Sequence, residues 1–181
     1  IRINPGNISA KRKLREIIKA CKDRDIPIRI GVNAGSIDRR ILTKHGGVPT
    51  PSAMVESCME FVKFFEDEGF TSIVLSLKSH DAMDTVLAYR EISNLTDYPL
   101  HIGITESGTL LTGTVHSAIG IGLLLAEGIG DTIRVSLTGD PVREVIVGWE
   151  ILRALGIRQR GVWIVSCPTC ARTEIDVETV A

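Results

Sequence analysis

The residues able to do chemistry fall into two groups. Cys167 and Cys170, in the stretch SCPTC, directly follow the β-branched run Val162-Trp163-Ile164-Val165. Thiols at this spacing serve as a redox dithiol, as half of a zinc site or as part of an iron–sulfur ligand set, and the spacing alone leaves all three open. No second CxxC and no histidine follows in the remaining eleven residues, so a four-ligand zinc ribbon is not completed here. Cys21 and Cys58 lie on apolar helical faces, where cysteine usually acts as a small hydrophobe.

The second group is a set of polar residues in or just after apolar strand-like runs: Arg2 and Asn4, Arg29 and Asn33, Lys78 and Ser79, Glu106, and Ser136. A cation inside an apolar strand is expensive unless an anion meets it. Each cation could pair with a neighbouring carboxylate or reach solvent. Three of them at comparable positions of separate strands point instead to a bound anion, and arginine forks with asparagine amides suit a phosphate or diphosphate. Glu106 is the one strand-end carboxylate. Next to a bound diphosphate such a carboxyl holds its proton more tightly and suits a general acid; the structural alternative is a salt bridge to Lys78 or Arg29. His80, just after Lys78, could donate to an anion, while His45, His101 and His116 read as structural or solvated. There is no GxxxxGK[ST] loop, and GIGLLLAEGIG lacks the strand context of a dinucleotide site, so it reads as a tightly packed helix.

The elements that must carry these residues alternate. Strand-like runs at Ile1–Ile3, Ile26–Val32, 71–77, 100–105 and 132–137 are each followed by a helical pattern. The first helix starts near Ser9, with Leu14, Ile17, Ile18 and Cys21 on one face. The longest irregular piece runs through HGGVPTP, after which Thr50 caps and Pro51 opens the next helix. A small-residue helix spans about Val115–Glu127, and Asp140-Pro141 opens the last one, expected to bury Val145, Ile146, Trp149 and Leu152. Alternation of this kind calls for right-handed crossovers and a parallel α/β sheet. Five units fit an open doubly wound sheet or five of the eight units of a TIM-type barrel, and the start inside a strand favours the partial barrel. Near Gly161 a strand arrives and a cysteine pair follows instead of a helix. A domain boundary is expected there, with residues 1–161 on one side and 162–181 on the other.

At 181 residues, 44% hydrophobic and 24% charged, the composition is that of a globular domain. A net charge of −1 argues against nucleic-acid binding by bulk electrostatics, so an anion site must be built locally. The longest apolar stretch, Ile119–Ala126, is too short to span a bilayer, no signal segment opens the chain, and four cysteines fit a reducing, cytoplasmic setting. The opening at Ile1, without a methionine, is expected of a partial chain.

RINPGN, IRIGVNAGS, GGVPTP, LSLKSHD, GITESG, RVSLTGDP and SCPTCARTEID, in this order, closely resemble the bacterial 4-hydroxy-3-methylbut-2-enyl diphosphate synthases of isoprenoid biosynthesis. The resemblance covers essentially the whole chain. It implies a TIM-type barrel followed by a small iron–sulfur α+β domain, of which this chain would hold five barrel units and the beginning of the second domain. It implies an oxidoreductase that opens the ring of 2-C-methyl-D-erythritol 2,4-cyclodiphosphate and loses the C3 oxygen as water, using two electrons from ferredoxin or flavodoxin through a 4Fe–4S cluster. By resemblance, Arg2, Arg29, Asn33, Lys78 and Ser136 match diphosphate-binding positions, Glu106 matches the proton-supplying acid, and Cys167 and Cys170 match the first two cluster ligands. The remaining ligands, a cysteine and a glutamate, would lie beyond Ala181. Glu174 makes a CxxCxxxE but does not match that glutamate. A homodimer is implied, with the cluster domain of one subunit capping the barrel of its partner. Two readings without the resemblance stay open: a phosphate-binding lyase or isomerase with Lys78 as nucleophile, and a structural module in which the cysteine pair clamps zinc.

Overall fold

The structure, a computed structural model, describes residues 1–8, 10–168 and 170–180. In chain order the elements are β1 (Arg2–Ile3), α1 (Lys11–Lys22), β2 (Ile28–Asn33), a 3-10 turn (Ala34–Ser36), α2 (Arg39–Lys44), α3 (Pro51–Asp67), β3 (Ile73–Lys78), α4 (Ala82–Ser93), β4 (His101–Ile102), α5 (Leu110–Ala126), β5 (Thr132–Ile133), α6 (Pro141–Ala154) and α7 (Val177–Val180). The expected helix start at Ser9 falls outside the described residues; α1 begins at Lys11.

The local chemistry of the starts is as the sequence dictates. Thr50 accepts from the Ala53 N–H at 3.2 Å with Pro51 in the first turn, Asp81 accepts from Asp84 at 2.8 Å, and Asp140 accepts from Val142 at 2.9 Å with Pro141 beside it. Asp38 does the same for α2 by accepting from Arg40 at 2.8 Å, a cap not read in the sequence, and so part of the expected irregular piece is helical.

All strand pairs are parallel, and the order follows the chain: β1–β2–β3, then β4–β5, with a single bridge from Leu75 to Leu100 joining the two groups. A doubly wound sheet reverses its order partway; this one does not, and it is not closed, since β1 and β5 are its outer strands. Alternation sorts the side chains. Ile28, Ile30 and Val32, and Ile73, Leu75 and Leu77, are buried against the helices, where they meet Leu14, Ile18, Cys58, Val62 and Phe65. The opposite face of the same strands carries Arg29, Gly31 and Asn33, and Val74, Ser76 and Lys78.

The split between β3 and β4 has a definite cause. Leu75 N–H donates to the Pro99 carbonyl at 2.8 Å, so the next ladder bond of a parallel pair would run from Leu77 N–H to the His101 carbonyl. Tyr89 of α4 sits between them: its hydroxyl accepts from Leu77 N–H at 3.0 Å and donates to the His101 carbonyl at 2.6 Å. The ring is fully buried. Tyr89→Phe leaves both backbone groups without a partner and is expected to cost about 1–3 kcal/mol in denaturant unfolding; a loss within experimental error would show that the strands close on each other without the hydroxyl.

Three expectations are corrected. The last helix buries Val147, Gly148 and Ile151, whereas Val145 and Ile146 are more than half exposed. Val145 and Trp149 border a groove along β5, because α6 carries two apolar stripes and only one meets the sheet. The β-branched run Val162–Val165 is not a strand: its residues are 61–84% exposed and no neighbouring strand pairs with it among the described residues. Among the described residues downstream, only α7, of four residues, is formed. The small-residue helix begins at Leu110, one turn before the expected Val115.

Candidate anion-binding site

Register assembles the site. Arg2 lies opposite Arg29, and Asn33 opposite Lys78, on the face away from the helices. One strand further on, the same face carries His101, and the segment leaving β5 adds Arg134, whose N–H donates to the Ile102 carbonyl at 2.9 Å. Arg29 and Lys78 are therefore not at equivalent heights, as the sequence reading had them. Arg29 is the second residue of β2 and Lys78 the last of β3.

Arg134 was missed in the sequence, although IRV within TIRVSL repeats the signal of IRI. His101, expected to be structural or solvated, is half-buried beside the cations, with Nδ1 at 2.8 Å from Thr132 Oγ1.

The electrostatics of this face are one-sided. Lys78 is 5% exposed, and burial followed by Arg134, Arg29 and Arg2 pushes its ammonium down to about 6. His101 is pushed down to about 3 by burial and by Lys78, Arg29 and Arg134, so its imidazole is neutral. Arg29 is lowered too, by burial first and then by Arg134 and Arg2. Arg29 Nε, Lys78 Nζ, His101 Nε2 and Arg134 Nε are buried without a hydrogen-bond partner. None of the four cations takes part in an ion pair among the described residues. The expected alternative of a salt bridge from Glu106 to Lys78 or Arg29 is not formed. Buried polar nitrogens are normally satisfied, and the three on Arg29, Lys78 and Arg134 need an acceptor.

Two glycines clear the space. The Gly31 carbonyl accepts from Arg2 Nη2 at 3.2 Å, and a Cβ on Gly31 would lie 2.6 Å from Arg2 Nε. At Gly103 φ is +152°, and a Cβ would collide with the Arg134 carbonyl and come within 3.1 Å of Lys78 Nζ. Gly103→Ala is expected to weaken pyrophosphate binding at least about tenfold and to cost about 1–3 kcal/mol of stability, read by calorimetric titration and denaturant unfolding; wild-type values for both would remove Gly103 from the site.

The other residues singled out in the sequence are placed as follows. Asn33 accepts from the Gly35 N–H at 3.1 Å, fixing the turn after β2, and Asn4 Nδ2 donates to Ser36 Oγ at 3.0 Å. Ser136 is half-buried, and its carbonyl accepts from the Ser107 hydroxyl. Glu106 is exposed just past β4, with φ at +53°, a left-handed conformation rare for a residue with a Cβ. Among the histidines, His45 Nε2 lies 2.8 Å from Glu56.

Cys167 and Cys170 are exposed free thiols, with Thr169 between them outside the described residues. Hydrogen bonds from the Arg172 backbone and the Thr173 hydroxyl hold the Cys170 thiol below its ordinary value. No group of three potential metal ligands occurs among the described residues, nor is any helix there long and apolar enough to cross a membrane.

A parallel sheet in chain order, with helices packed on one face and cationic side chains on the other, defines an α/β domain of the barrel type. Residues 1–149 match the GcpE TIM-barrel domain, and the chain belongs to that family. It is 59% identical, over all 181 residues, to the 4-hydroxy-3-methylbut-2-en-1-yl diphosphate synthase (flavodoxin) of Caldanaerobacter subterraneus subsp. tengcongensis, covering 51% of that protein. Proteins of the same name in Clostridium perfringens and Geobacter sulfurreducens are 56% and 55% identical over the whole chain, which covers 52% and 51% of them. The chain thus spans about half the length of the curated relatives it matches.

Proposed function

We propose that this chain is five of the eight units of a (β/α)8 barrel, residues 1–161, followed by the beginning of an iron–sulfur domain, residues 162–181, in a 4-hydroxy-3-methylbut-2-enyl diphosphate synthase. The observation that carries the reading is the convergence of Arg2, Arg29, Lys78 and Arg134 on one inner face with no carboxylate among them. A cyclic diphosphate supplies the missing counter-charge. Guanidinium forks hold it in fixed orientation, Asn33 and Ser136 stand at the carboxyl ends of their strands to receive its remaining oxygens, and the neutral His101 adds no charge of its own.

The proposed reaction takes two electrons and two protons into 2-C-methyl-D-erythritol 2,4-cyclodiphosphate, opens the ring and releases the C3 oxygen as water. When bound, a 4Fe–4S cluster supplies the electrons. Cys167 and Cys170 fit two of its ligands, since both are exposed free thiols and Cys170 is biased toward thiolate; the other two come from sequence beyond Ala181. Glu106 delivers a proton to the departing oxygen, held for that task by its left-handed backbone. The electron donor is flavodoxin, on the strength of the relatives' printed names, or ferredoxin, and the enzyme works in the cytoplasm.

A homodimer is consistent with where the cysteines leave the fold. α6 starts at the carboxyl ends of the strands and, at 14 residues, runs about 21 Å back to the opposite end. There Arg153 Nη2 donates to the Val162 carbonyl at 2.7 Å. The cysteine segment therefore departs from the end away from Lys78 and Glu106, and a cluster on one subunit meets the barrel mouth of another.

A second reading has one specific observation in its favour. A lysine pushed down to about 6 is largely a free amine at neutral pH, as a Schiff-base lyase requires. Borohydride trapping of a substrate adduct on Lys78 would support it. Anaerobic reconstitution of the full-length protein with iron and sulfide tests the main reading. It is expected to give broad absorbance near about 400 nm and turnover of the cyclic diphosphate, whereas stoichiometric zinc without that absorbance would contradict it.

A further inference from the structure

We propose that the arginine-rich junction between α6 and the cysteine pair is the docking surface for an acidic electron-carrier protein. The inference rests on the synthase reading and adds to it where the carrier binds. From Ile151 to Thr173 the chain has four arginines, Arg153, Arg158, Arg160 and Arg172, and no aspartate or glutamate, in a chain of net charge −1. The segment that flanks the two thiols therefore carries a local excess of positive charge.

The segment is shaped as well as charged. Arg153, Arg158, Arg160 and Trp163 line a depression of about 200 Å³ that has no carboxylate in its wall. The Arg153 guanidinium lies over the Trp163 ring at 5.5 Å and that of Arg160 over Trp149 at 5.3 Å. Stacking of this kind fixes the planes of the guanidinium groups; the Arg153 edge is taken by Glu150 and the Val162 carbonyl, and that of Arg160 is left to donate. Arg153 is partly neutralised by Glu150 at 2.7 Å. Arg158 and Arg160 are exposed and belong to no ion pair among the described residues. Trp163, 61% exposed, adds an apolar centre between them.

Small, polar, electrostatically steered contacts are the rule for redox encounters, where fast arrival and fast release matter more than affinity. The junction has that character. It also lies within reach of the thiols, because Gly161 is six residues before Cys167, at most about 20 Å of extended chain. It sits at the far end of α6 from the inner-face cations, so a carrier seated there leaves the path of the diphosphate open. A nucleic acid could answer the same charge, but the free thiols beside the arginines favour a redox protein.

The test uses the full-length, cluster-reconstituted protein with flavodoxin as the probe. Calorimetric titration of wild type is expected to show binding that weakens as salt rises. Arg158→Glu with Arg160→Glu should weaken it at least about tenfold and flatten the salt dependence, while turnover driven by a chemical reductant stays at the wild-type rate. Arg160→Glu also removes the stack on Trp149. Arg158→Glu alone touches no packed group and should still weaken binding severalfold. Wild-type affinity in both variants, or no flavodoxin binding by wild type, overturns the docking surface. So does charge reversal that abolishes binding of an oligonucleotide but not of flavodoxin. Absence of turnover in wild type with the chemical reductant would instead remove the synthase reading, which the binding titration leaves untouched.

Discussion

Glu106→Gln in the full-length enzyme is expected to lower turnover by about 10²–10⁴-fold, the range for loss of a positioned general acid, with iron and sulfide content unchanged. Glutamine keeps the size and the hydrogen-bonding capacity of the side chain but cannot give up a proton on demand. The position itself adds a second, sharper expectation. At φ +53° Glu106 pays for its place with backbone strain, which for a residue with a Cβ amounts to about 1–3 kcal/mol. Glycine adopts that conformation freely. Glu106→Gly should therefore inactivate the enzyme at least as severely as glutamine while raising its resistance to denaturant. A variant that is both inactive and less stable would mean that Glu106 is a structural residue of the turn after β4. One that keeps wild-type turnover would remove it from the chemistry.

Lys78 carries the second large effect, and its sign can be worked out. The groups facing it are Arg2 on β1, Arg29 on β2, the neutral His101 on β4 and Arg134 beyond β5. In the ligand-free protein burial and these cations push it down to about 6. A diphosphate among them raises it again. Between about 6 and the higher value in the complex, binding takes up a proton at Lys78, so at a fixed charge state of the ligand affinity falls as pH rises through that window. Titration with pyrophosphate near neutral pH, in two buffers of different ionisation enthalpy, should report an uptake approaching one proton, lost in Lys78→Met. Lys78→Ala should raise the KM of the full-length enzyme far more than it changes kcat, and a wild-type KM would count against contact with the diphosphate. Stability of the ligand-free protein follows the same group. Between about 6 and the ordinary 10.5 the unfolded chain holds the proton that the folded one lacks, so stability rises with pH across that span.

Much of this could be read from the residues. The parallel α/β layout was legible in the alternation of apolar runs with helical patterns, and the capped starts at Thr50 and Asp140 mark where helices begin. Arg29, Lys78 and Asn33 stood out because a polar residue in an apolar strand is costly. Arg134 obeys the same rule, but it stands inside its apolar run, and Ser136, two residues later, is the polar residue nearer the end of that run. His101 could not be assigned from sequence, because its neighbours on the inner face, Lys78 and Arg134, are brought there by register across three strands. The hydroxyl of Tyr89 inserted between β3 and β4 leaves no trace in periodicity, which records burial and not what a buried group bonds to. Val162–Val165 has the composition of a strand, but a strand exists only through its partner, and composition does not supply one.

The central claim is that the inner-face cations exist to hold a diphosphate. Arg134 tests it most directly, since its place in the site rests on geometry alone. Calorimetric titration of the full-length protein with the cyclic diphosphate should show Arg134→Ala binding about a hundredfold or more weaker than wild type, as expected when one partner of a buried charge contact is removed. Arg134→Ala and Lys78→Ala variants that bind it as tightly as wild type would contradict the claim.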